Sequence, residues 1–404
     1  MIRVTGTALA TIVAGTFFVS PGLAQTPGPK SKAEPASRAG AIQNYWTSER
    51  RRGANPKSIG AHPPGQQLDP RSAPSEPLGR PGAAPGRPPG SGVQPQSSSA
   101  TSDTQSFDQV QTFPPFSPPS TSTDFANYAP FQRFTWPGDL RQFPVSTVGK
   151  LFFTQNGQNF VCSASVIGRS TLATAGHCVH AGNNNATTGW STNLLFCPSY
   201  SPAGEDSVRG CWAGLTQATS SQWFSTSNSD RDYGCIVTAT TGTKVANKIG
   251  NITGWTGRAW NWSSGQPTLA WGYPQGAPFA GNRLITTAST EWYQLNRNTS
   301  ESQLSKYIGS DQTGGSSGGP WWLNFRGPVE IAAVDSSAIT DPSQGNSAPL
   351  INGINSHKRC SAAGCPAGSL FMNEMGSPQF LSSTSDNNDS EDIFAVCLAH
   401  QNNS

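Results

Sequence analysis

The chain has 404 residues, of which only 12% are charged, and its formal net charge is +3. Because this surplus is small and forms no basic stripe, the sequence argues against a nucleic-acid partner. Nineteen of the 33 prolines fall between residues 25 and 130, whereas all eight cysteines fall between residues 162 and 397, so two different compositions meet in one chain.

The first 24 residues have the features of a secretory leader. Arg3 precedes an apolar run from Ala8 to Val19, and Gly22-Leu23-Ala24 provides a small-x-small cleavage pattern. The apolar run is too short to cross a bilayer. We therefore predict a signal peptide over residues 1–24, no membrane span, and a secreted protein that is extracellular or periplasmic.

Residues 25–135 are rich in Pro, Gly, Ser and Gln. A segment of this composition buries too little apolar surface to offset the entropy lost on ordering. We predict a disordered segment that serves as a linker or, in a zymogen, as a propeptide.

Residues 136–404 contain many short apolar runs separated by Gly, Asn and Ser. Such runs predict strands at 149–153, 160–167, 171–175, 194–196, 235–238, 267–272, 321–324 and 329–334. One helix is predicted at residues 391–400, with Ser390 as its N-cap. Because strands and long helices do not alternate, the pattern favours an all-β barrel or sandwich.

A glycine-rich stretch, residues 311–320, surrounds a candidate nucleophile. It reads Asp-Gln-Thr-Gly-Gly-Ser-Ser-Gly-Gly-Pro, and Ser317 is the second of the two serines between the glycine pairs. The glycines allow a tight turn in which the backbone N–H groups of Gly315 and Ser317 can face a small anion. A serine reacts poorly without a base within hydrogen-bond reach, so the hypothesis needs further residues.

Two other stretches supply a base and an acid. His177 follows a predicted strand in the run Thr-Ala-Gly-His-Cys, and Asp232 stands before the apolar strand that begins at Cys235. A carboxylate at that position can hold an imidazole in one tautomer through its Nδ1–H group. Asp230 is the fallback for the acid, and His180 is interpreted as solvated.

The order His177, Asp232, Ser317, with the surrounding runs Thr-Ala-Gly-His-Cys, Asp-Tyr-Gly and Gly-x-Ser-Gly-Gly-Pro, resembles the chymotrypsin-fold serine endopeptidases. Residues 148–153 and 160–163 add a similarity to the secreted bacterial and fungal branch that includes glutamyl endopeptidases. The resemblance covers about residues 140–360. It implies two antiparallel six-stranded β-barrels with the active site between them.

The same resemblance implies a mechanism and its requirements. His177, Asp232 and Ser317 would form the catalytic triad, and the N–H groups of Gly315 and Ser317 would form the oxyanion hole. The substrates would be proteins or peptides, the protein would be a monomer, and neither a cofactor nor a metal would be needed.

The chain departs from the family pattern at two places. Ser316 replaces the aspartate that pairs with a new N-terminal amine in chymotrypsin-like zymogens, so activation by that switch is not expected. Asp335 stands where the glutamyl branch places a histidine, beside Ser336, and Asp311 precedes Ser317 by six residues. Two carboxylates in one substrate pocket would repel glutamate and favour Arg or Lys at P1.

Eight cysteines behind a secretory leader favour four disulfides in an oxidising compartment, and no CxxC pair or His/Cys cluster indicates zinc. Cys178 can pair with Cys162 on the preceding strand. Cys197–Cys211 and Cys360–Cys365 each bracket a loop, and elimination leaves Cys235–Cys397. Other connectivities of these last six cysteines remain open.

Two other functions fit parts of the sequence. Residues 315–319 also match the Gly-x-Ser-x-Gly elbow of α/β-hydrolase esterases, in which Asp341 and His357 could complete a triad. A catalytically silent, protease-like binding module on a Pro-rich stalk is the other alternative.

Overall fold

The computed structural model describes residues 27–58, 60–61, 80–89, 131–183, 188–262, 265–291, 293–296, 304–325, 349–358, 373–383 and 387–404. Within these ranges the chain is mostly β structure with a few short helices. No helix there is both long enough and apolar enough to cross a membrane.

The strands of the described ranges, in chain order, are β1 (Lys30–Ala33), β2 (Asn55–Pro56), β3 (Gly60–Ala61), β4 (Gly82–Ala84), β5 (Phe131–Thr135), β6 (Val148–Gln155), β7 (Gln158–Val166), β8 (Thr171–Ala175), β9 (Thr192–Pro198), β10 (Trp212–Thr219), β11 (Tyr233–Thr238), β12 (Gly257–Trp260), β13 (Pro267–Gly272), β14 (Ile285–Thr290), β15 (Tyr293–Asn296), β16 (Leu304–Gly309), β17 (Pro320–Leu323), β18 (Leu350–Ile354), β19 (His357–Lys358) and β20 (Glu374–Pro378). The helices are α1 (Arg38–Tyr45), α2 (Ser48–Arg52), α3 (Gly176–Val179), α4 (Ser221–Thr226), α5 (Ile249–Thr253) and α6 (Ser390–Leu398), with 3-10 turns at Val145–Thr147, Ser229–Arg231 and Gln401–Asn403.

Six antiparallel strands form a closed barrel. Their order is β10, β11, β8, β7, β6 and β9, and β9 pairs back onto β10 through Phe196 opposite Trp212. Large side chains such as Leu151, Val161 and Ile236 are fully buried in its core. The pairing of β9 with β10 closes the sheet, and the apolar faces of the strands pack together inside it. The first predicted barrel is therefore confirmed.

The remaining strands form two further sheets. One has the order β4, β12, β18, β17, β13, β14, β5, and the other has the order β15, β16, β20, β19, β3. Among the described residues the pairings do not close these sheets into a second barrel, which stays a prediction. The strand predicted at 329–334 lies outside the described residues.

The prediction of a disordered segment over residues 25–135 is wrong for part of it. Residues 27–58 contain β1, α1, α2 and β2, and β1 pairs with β10 of the barrel. Ile42 and Trp46 are 1% and 2% exposed, and Trp46 Nε1 donates to the Asn193 carbonyl at 2.5 Å. The prediction used the average composition of the whole segment, and this average did not reveal a stretch with enough apolar surface to pack on the barrel. Residues 62–79 and 90–130 lie outside the described residues.

Three of the four expected disulfides are present: Cys162–Cys178, Cys197–Cys211 and Cys235–Cys397. The last one ties α6 to β11, and Ile393 and Phe394 of that helix are fully buried. Asp389, rather than Ser390, caps the helix, since its side chain accepts from the N–H groups of Glu391 and Asp392. Cys360 and Cys365 lie outside the described residues.

Candidate active site

His177 stands where the barrel strand β8 gives way to the short helix α3. Gly176 before it has no side chain for a physical reason, since a Cβ there would lie 2.9 Å from Asp232 Oδ1 and 2.8 Å from Thr219 Oγ1. The Cys162–Cys178 disulfide fixes the following residue to β7. The sequence thus holds His177 at one end of the barrel with a carboxylate immediately beside its backbone.

Asp232 binds His177 at two points. The His177 backbone N–H donates to Asp232 Oδ1, and Nδ1 lies at the same 2.7 Å from Oδ2. Because an ionised carboxylate only accepts hydrogen bonds, Nδ1 carries the proton and Nε2 is the basic nitrogen. Both side chains are almost fully buried, with 6% and 2% of their surfaces exposed. Asp230, the fallback, instead accepts a hydrogen bond from Ser305 Oγ.

The Ser317 loop packs directly on the barrel. The Ser317 carbonyl accepts from the Ser163 N–H group at 2.7 Å and lies 3.8 Å from Cys178 Sγ. Gly318 has a φ of +79°, and a Cβ on it would be 2.1 Å from Thr174 Oγ1, so only glycine fits here. These contacts bring the loop against β8, the strand that precedes His177.

Two polar atoms of the site have no hydrogen-bond partner among the described residues, namely Ser317 Oγ and His177 Nε2. Both residues are buried, Ser317 fully and His177 with 5% of its surface exposed. Buried polar atoms are normally satisfied, so each exception calls for an explanation, and a catalytic role is one. A hydrogen bond between nucleophile and base is often loose before substrate binds.

Three polar residues that the sequence did not assign to this site connect to it. Ser356 Oγ lies 2.6 Å from Asp232 Oδ2 and 2.9 Å from His357 Nδ1, and His357 Nε2 lies 3.0 Å from the Tyr307 hydroxyl. Since the Asp232 carboxylate accepts, the Ser356 hydroxyl donates to it. Ser356 therefore helps to hold the carboxylate that orients His177.

A sequence feature that could have identified Ser356 was present, but the corresponding role was given to another segment. The feature is the apolar run of β18, which is followed directly by Asn-Ser-His. The sequence interpretation instead placed the similar run around Asp335 and Ser336 in the substrate pocket. Asp335 and Ser336 lie outside the described residues. His357, considered only for an esterase, bonds to Ser356 and Tyr307.

Two cations, Arg133 and Lys358, interact electrostatically with Asp311. Its carboxylate forms an ion pair with the Arg133 guanidinium from β5. Burial raises the pKa of Asp311, while the Arg133 and Lys358 charges act against that rise. Burial also lowers the pKa of Lys358 to about 8, against the opposing influence of Asp311 and Glu374. The sequence places Asp311 in the substrate pocket, which stays a prediction, and the structure adds the ion pair with Arg133.

Two clusters of the described residues have ligand atoms close enough for a metal ion. One contains Cys162, His177 and Cys178, and the other contains Cys197, Glu205 and Cys211. In both, the two cysteine sulfurs are joined in a disulfide and offer no thiolate. The clusters are therefore by-products of the disulfides.

Neither a family model nor a curated relative matches the chain. Among solved structures, the thermostable serine protease AL20 from an extremophilic microorganism is 30% identical, and the match covers 61% of this chain and 97% of that chain, with a TM-score of 0.46. The chain belongs to the serine proteases. This family consists of hydrolases, and the chain is accordingly an enzyme of that class.

Two further solved structures, both of proteases, are similar to the chain. The protease Anisep from Arthrobacter nicotinovorans is 25% identical over 63% of this chain and 96% of its own, with a TM-score of 0.47. A Glu endopeptidase is 18% identical over 66% of this chain and 95% of its own, with a TM-score of 0.42. The family membership rests on the 30% identity that extends over 97% of AL20.

Proposed function

We propose that the protein is a secreted serine endopeptidase that acts through His177, Asp232 and Ser317. The observation that carries the proposal is the His177 imidazole, whose Nδ1 is 2.7 Å from Asp232 Oδ2 while its Nε2 remains without a partner among the described residues, as does Ser317 Oγ. A base held in this tautomer and a serine on an adjoining loop are the two parts that nucleophilic acyl transfer needs.

In the proposed reaction, His177 Nε2 takes the proton of Ser317 as Oγ attacks the peptide carbonyl carbon. The N–H groups of Gly315 and Ser317 donate to the oxyanion, and Asp232 stabilises the imidazolium that forms. His177 then gives its proton to the departing amine, which leaves an acyl-enzyme. A water molecule, deprotonated by His177, attacks the ester, and Ser317 recovers its proton as the acid product leaves.

The cellular setting and the complete fold are part of the same proposal. We assign residues 1–24 to a leader, residues 25–135 to a propeptide segment and residues 136–404 to the protease domain, with the two open sheets contributing to a second six-stranded barrel. The three disulfides support an oxidising, extracytoplasmic compartment.

Covalent labelling tests the proposal directly. A fluorophosphonate is expected to form one adduct on the folded, intact chain, located on Ser317 by mass spectrometry, because only an activated serine attacks the phosphorus. The neighbouring Ser316, whose hydroxyl donates to the Thr313 carbonyl at 2.8 Å, serves as an internal control and should stay unmodified. An adduct on another residue would contradict the triad. No adduct on the intact chain or on the variants described in the next subsection would favour a catalytically silent module.

Substrate preference at P1 is expected to depend on the Arg133–Asp311 ion pair. Because Arg133 offsets the Asp311 charge, the wild-type protein should cleave paired Arg and Glu peptides with kcat/KM values within about tenfold of each other. Arg133→Ala should expose the carboxylate and shift the ratio towards Arg by roughly tenfold.

The control for this experiment is Arg141→Ala, which removes a guanidinium paired with Asp206 on another loop. It should leave the Arg-to-Glu ratio unchanged. A wild-type preference for Arg of about a hundredfold or more would show that Asp311 attracts substrate cations despite its ion pair, as the sequence alone suggested.

A further inference from the structure

An extended segment, residues 54–58, lies at the candidate active site and is followed by β3 at residues 60–61. Its first part, β2, pairs in parallel with β7, with Asn55 opposite Phe160 and Pro56 opposite Val161. The following strand, β3, pairs in parallel with β19, which directly follows Ser356. Since β7 belongs to the barrel and β19 to another sheet, β2 and β3 attach this part of the chain to both.

Lys57 makes the contact that matters most for function. Its N–H group donates to the Val161 carbonyl at 3.0 Å, and its carbonyl oxygen accepts from the Gly315 N–H group at 3.1 Å. In the proposed mechanism, that N–H group donates to the oxyanion of the substrate. A substrate carbonyl and the Lys57 carbonyl therefore compete for the same donor.

The Lys57 side chain also faces the site. Its Nζ hydrogen-bonds Gln155 Oε1 and lies 4.8 Å from the centre of the Phe160 ring. Burial lowers the pKa of Lys57, and the Asp232 carboxylate acts in the opposite direction. Upstream, the Ala54 carbonyl accepts from Gln275 Nε2 at 2.7 Å. Main chain and side chain together seat this segment against both the first barrel and the Ser317 loop.

The residues before this segment anchor it to the barrel. We call residues 27–58 and 60–61 the arm. Trp46 is buried against Phe152, with ring centres 5.4 Å apart, and Tyr45 donates to Asn159 Oδ1 at 2.9 Å. Because β1 also adds a strand to the barrel sheet, the arm is held next to the site at a high effective concentration.

We propose that the arm is an intramolecular inhibitor that occupies the peptide-binding groove and blocks the Gly315 N–H group until it is displaced. This inference rests on the proposed protease function. It explains why Ser317 is fully buried and His177 is only 5% exposed in the intact chain. It also gives the predicted propeptide a specific physical role, since a peptide substrate can reach Ser317 only when the segment 54–58 leaves.

The test compares full-length variants whose chains are verified intact by mass spectrometry. Trp46→Ala removes the buried anchor, and Lys57→Pro removes the N–H group that donates to Val161. Lys32→Ala is the matched control, because Lys32 also lies in the arm but pairs with Glu34, and its side chain is 30% exposed. The readouts are the rate of fluorophosphonate adduct formation on Ser317 and hydrogen–deuterium exchange of peptides covering residues 54–58 and 313–317.

Trp46→Ala and Lys57→Pro are expected to form the adduct at least about tenfold faster than wild type, because each loses arm-docking free energy of the order that a tenfold change requires. Exchange should rise at both peptides in these variants, and Lys32→Ala should match wild type. If Trp46→Ala does not fold, Lys57→Pro still provides the test.

Three results would count against the inference, and they can be told apart. If wild type is labelled as fast as both variants, or if the variants release the arm in exchange measurements without faster labelling, the arm is no inhibitor and the protease proposal stands. If no form is labelled at all, the protease proposal itself fails.

Discussion

Ser317→Ala is expected to lower kcat for peptide hydrolysis by about a millionfold, the scale seen when a catalytic serine is removed from a serine protease. The reason is that no other hydroxyl can form the acyl-enzyme from this position. His177→Ala should have an effect of similar size, since the two residues act as one unit. Initial rates on a chromogenic peptide, measured both in the intact chain and in the Lys57→Pro background, would provide the comparison.

Ser316→Ala is the matched control for this loss. Its hydroxyl makes one hydrogen bond, to the Thr313 carbonyl, and is turned away from the reaction by that bond. Losing it should cost about 1 kcal/mol of loop stability and change kcat by less than about tenfold. If Ser316→Ala abolished activity while Ser317→Ala retained it, the assignment of the nucleophile would be wrong.

The parts of the site that follow local sequence rules could be predicted. His177 and the preceding Gly176 directly follow an apolar strand, and Ser317 lies in a glycine-rich stretch. Short motifs therefore identify both His177 and Ser317. Five of the six strands of the first barrel were also visible as apolar runs. Local sequence is sufficient to predict a residue's role where the residues that determine this role lie within a few positions of it.

Other parts depend on contacts that a linear pattern does not contain. The strand β10 was missed because it buries polar residues such as Gln217, whose amide donates to the Ser191 carbonyl 26 residues away. Ser356 belongs to the site because its hydroxyl bonds to Asp232, 124 residues earlier in the chain. Asp311 looks like a free carboxylate until Arg133, 178 residues away, is placed beside it. In each case, tertiary pairing overrides the local pattern.

The arm shows the same limitation in composition rather than in pattern. Averaged over residues 25–135, Pro and Gly dominate, and disorder follows. Within that average, Ile42 and Trp46 provide buried surface, and Lys57 provides a carbonyl at the distance of a hydrogen bond from Gly315. A short anchor followed by an extended segment is enough to order a stretch that its surroundings make look unstructured.

Asp232→Asn is expected to lower kcat by about 10⁴-fold while leaving the fold in place, because an amide can no longer satisfy every donor that faces it. Oδ1 accepts from the His177 N–H group, and Oδ2 faces both His177 Nδ1 and the Ser356 hydroxyl. Whichever way the amide turns, its NH₂ group meets a donor. The imidazole then favours the tautomer with the proton on Nε2, which cannot accept the proton of Ser317.

Asp230→Asn provides the control, since Asp230 is two residues away and is also buried, but bonds to Ser305 Oγ instead of His177. It removes the same charge from the same turn, and kcat should stay within about tenfold of wild type. The pair of variants also separates charge from geometry. If both variants lowered kcat equally, the carboxylate would act through its electrostatic interaction with the imidazolium. A loss confined to Asp232→Asn would show that the hydrogen bond to Nδ1 sets the tautomer and thereby the basicity of Nε2.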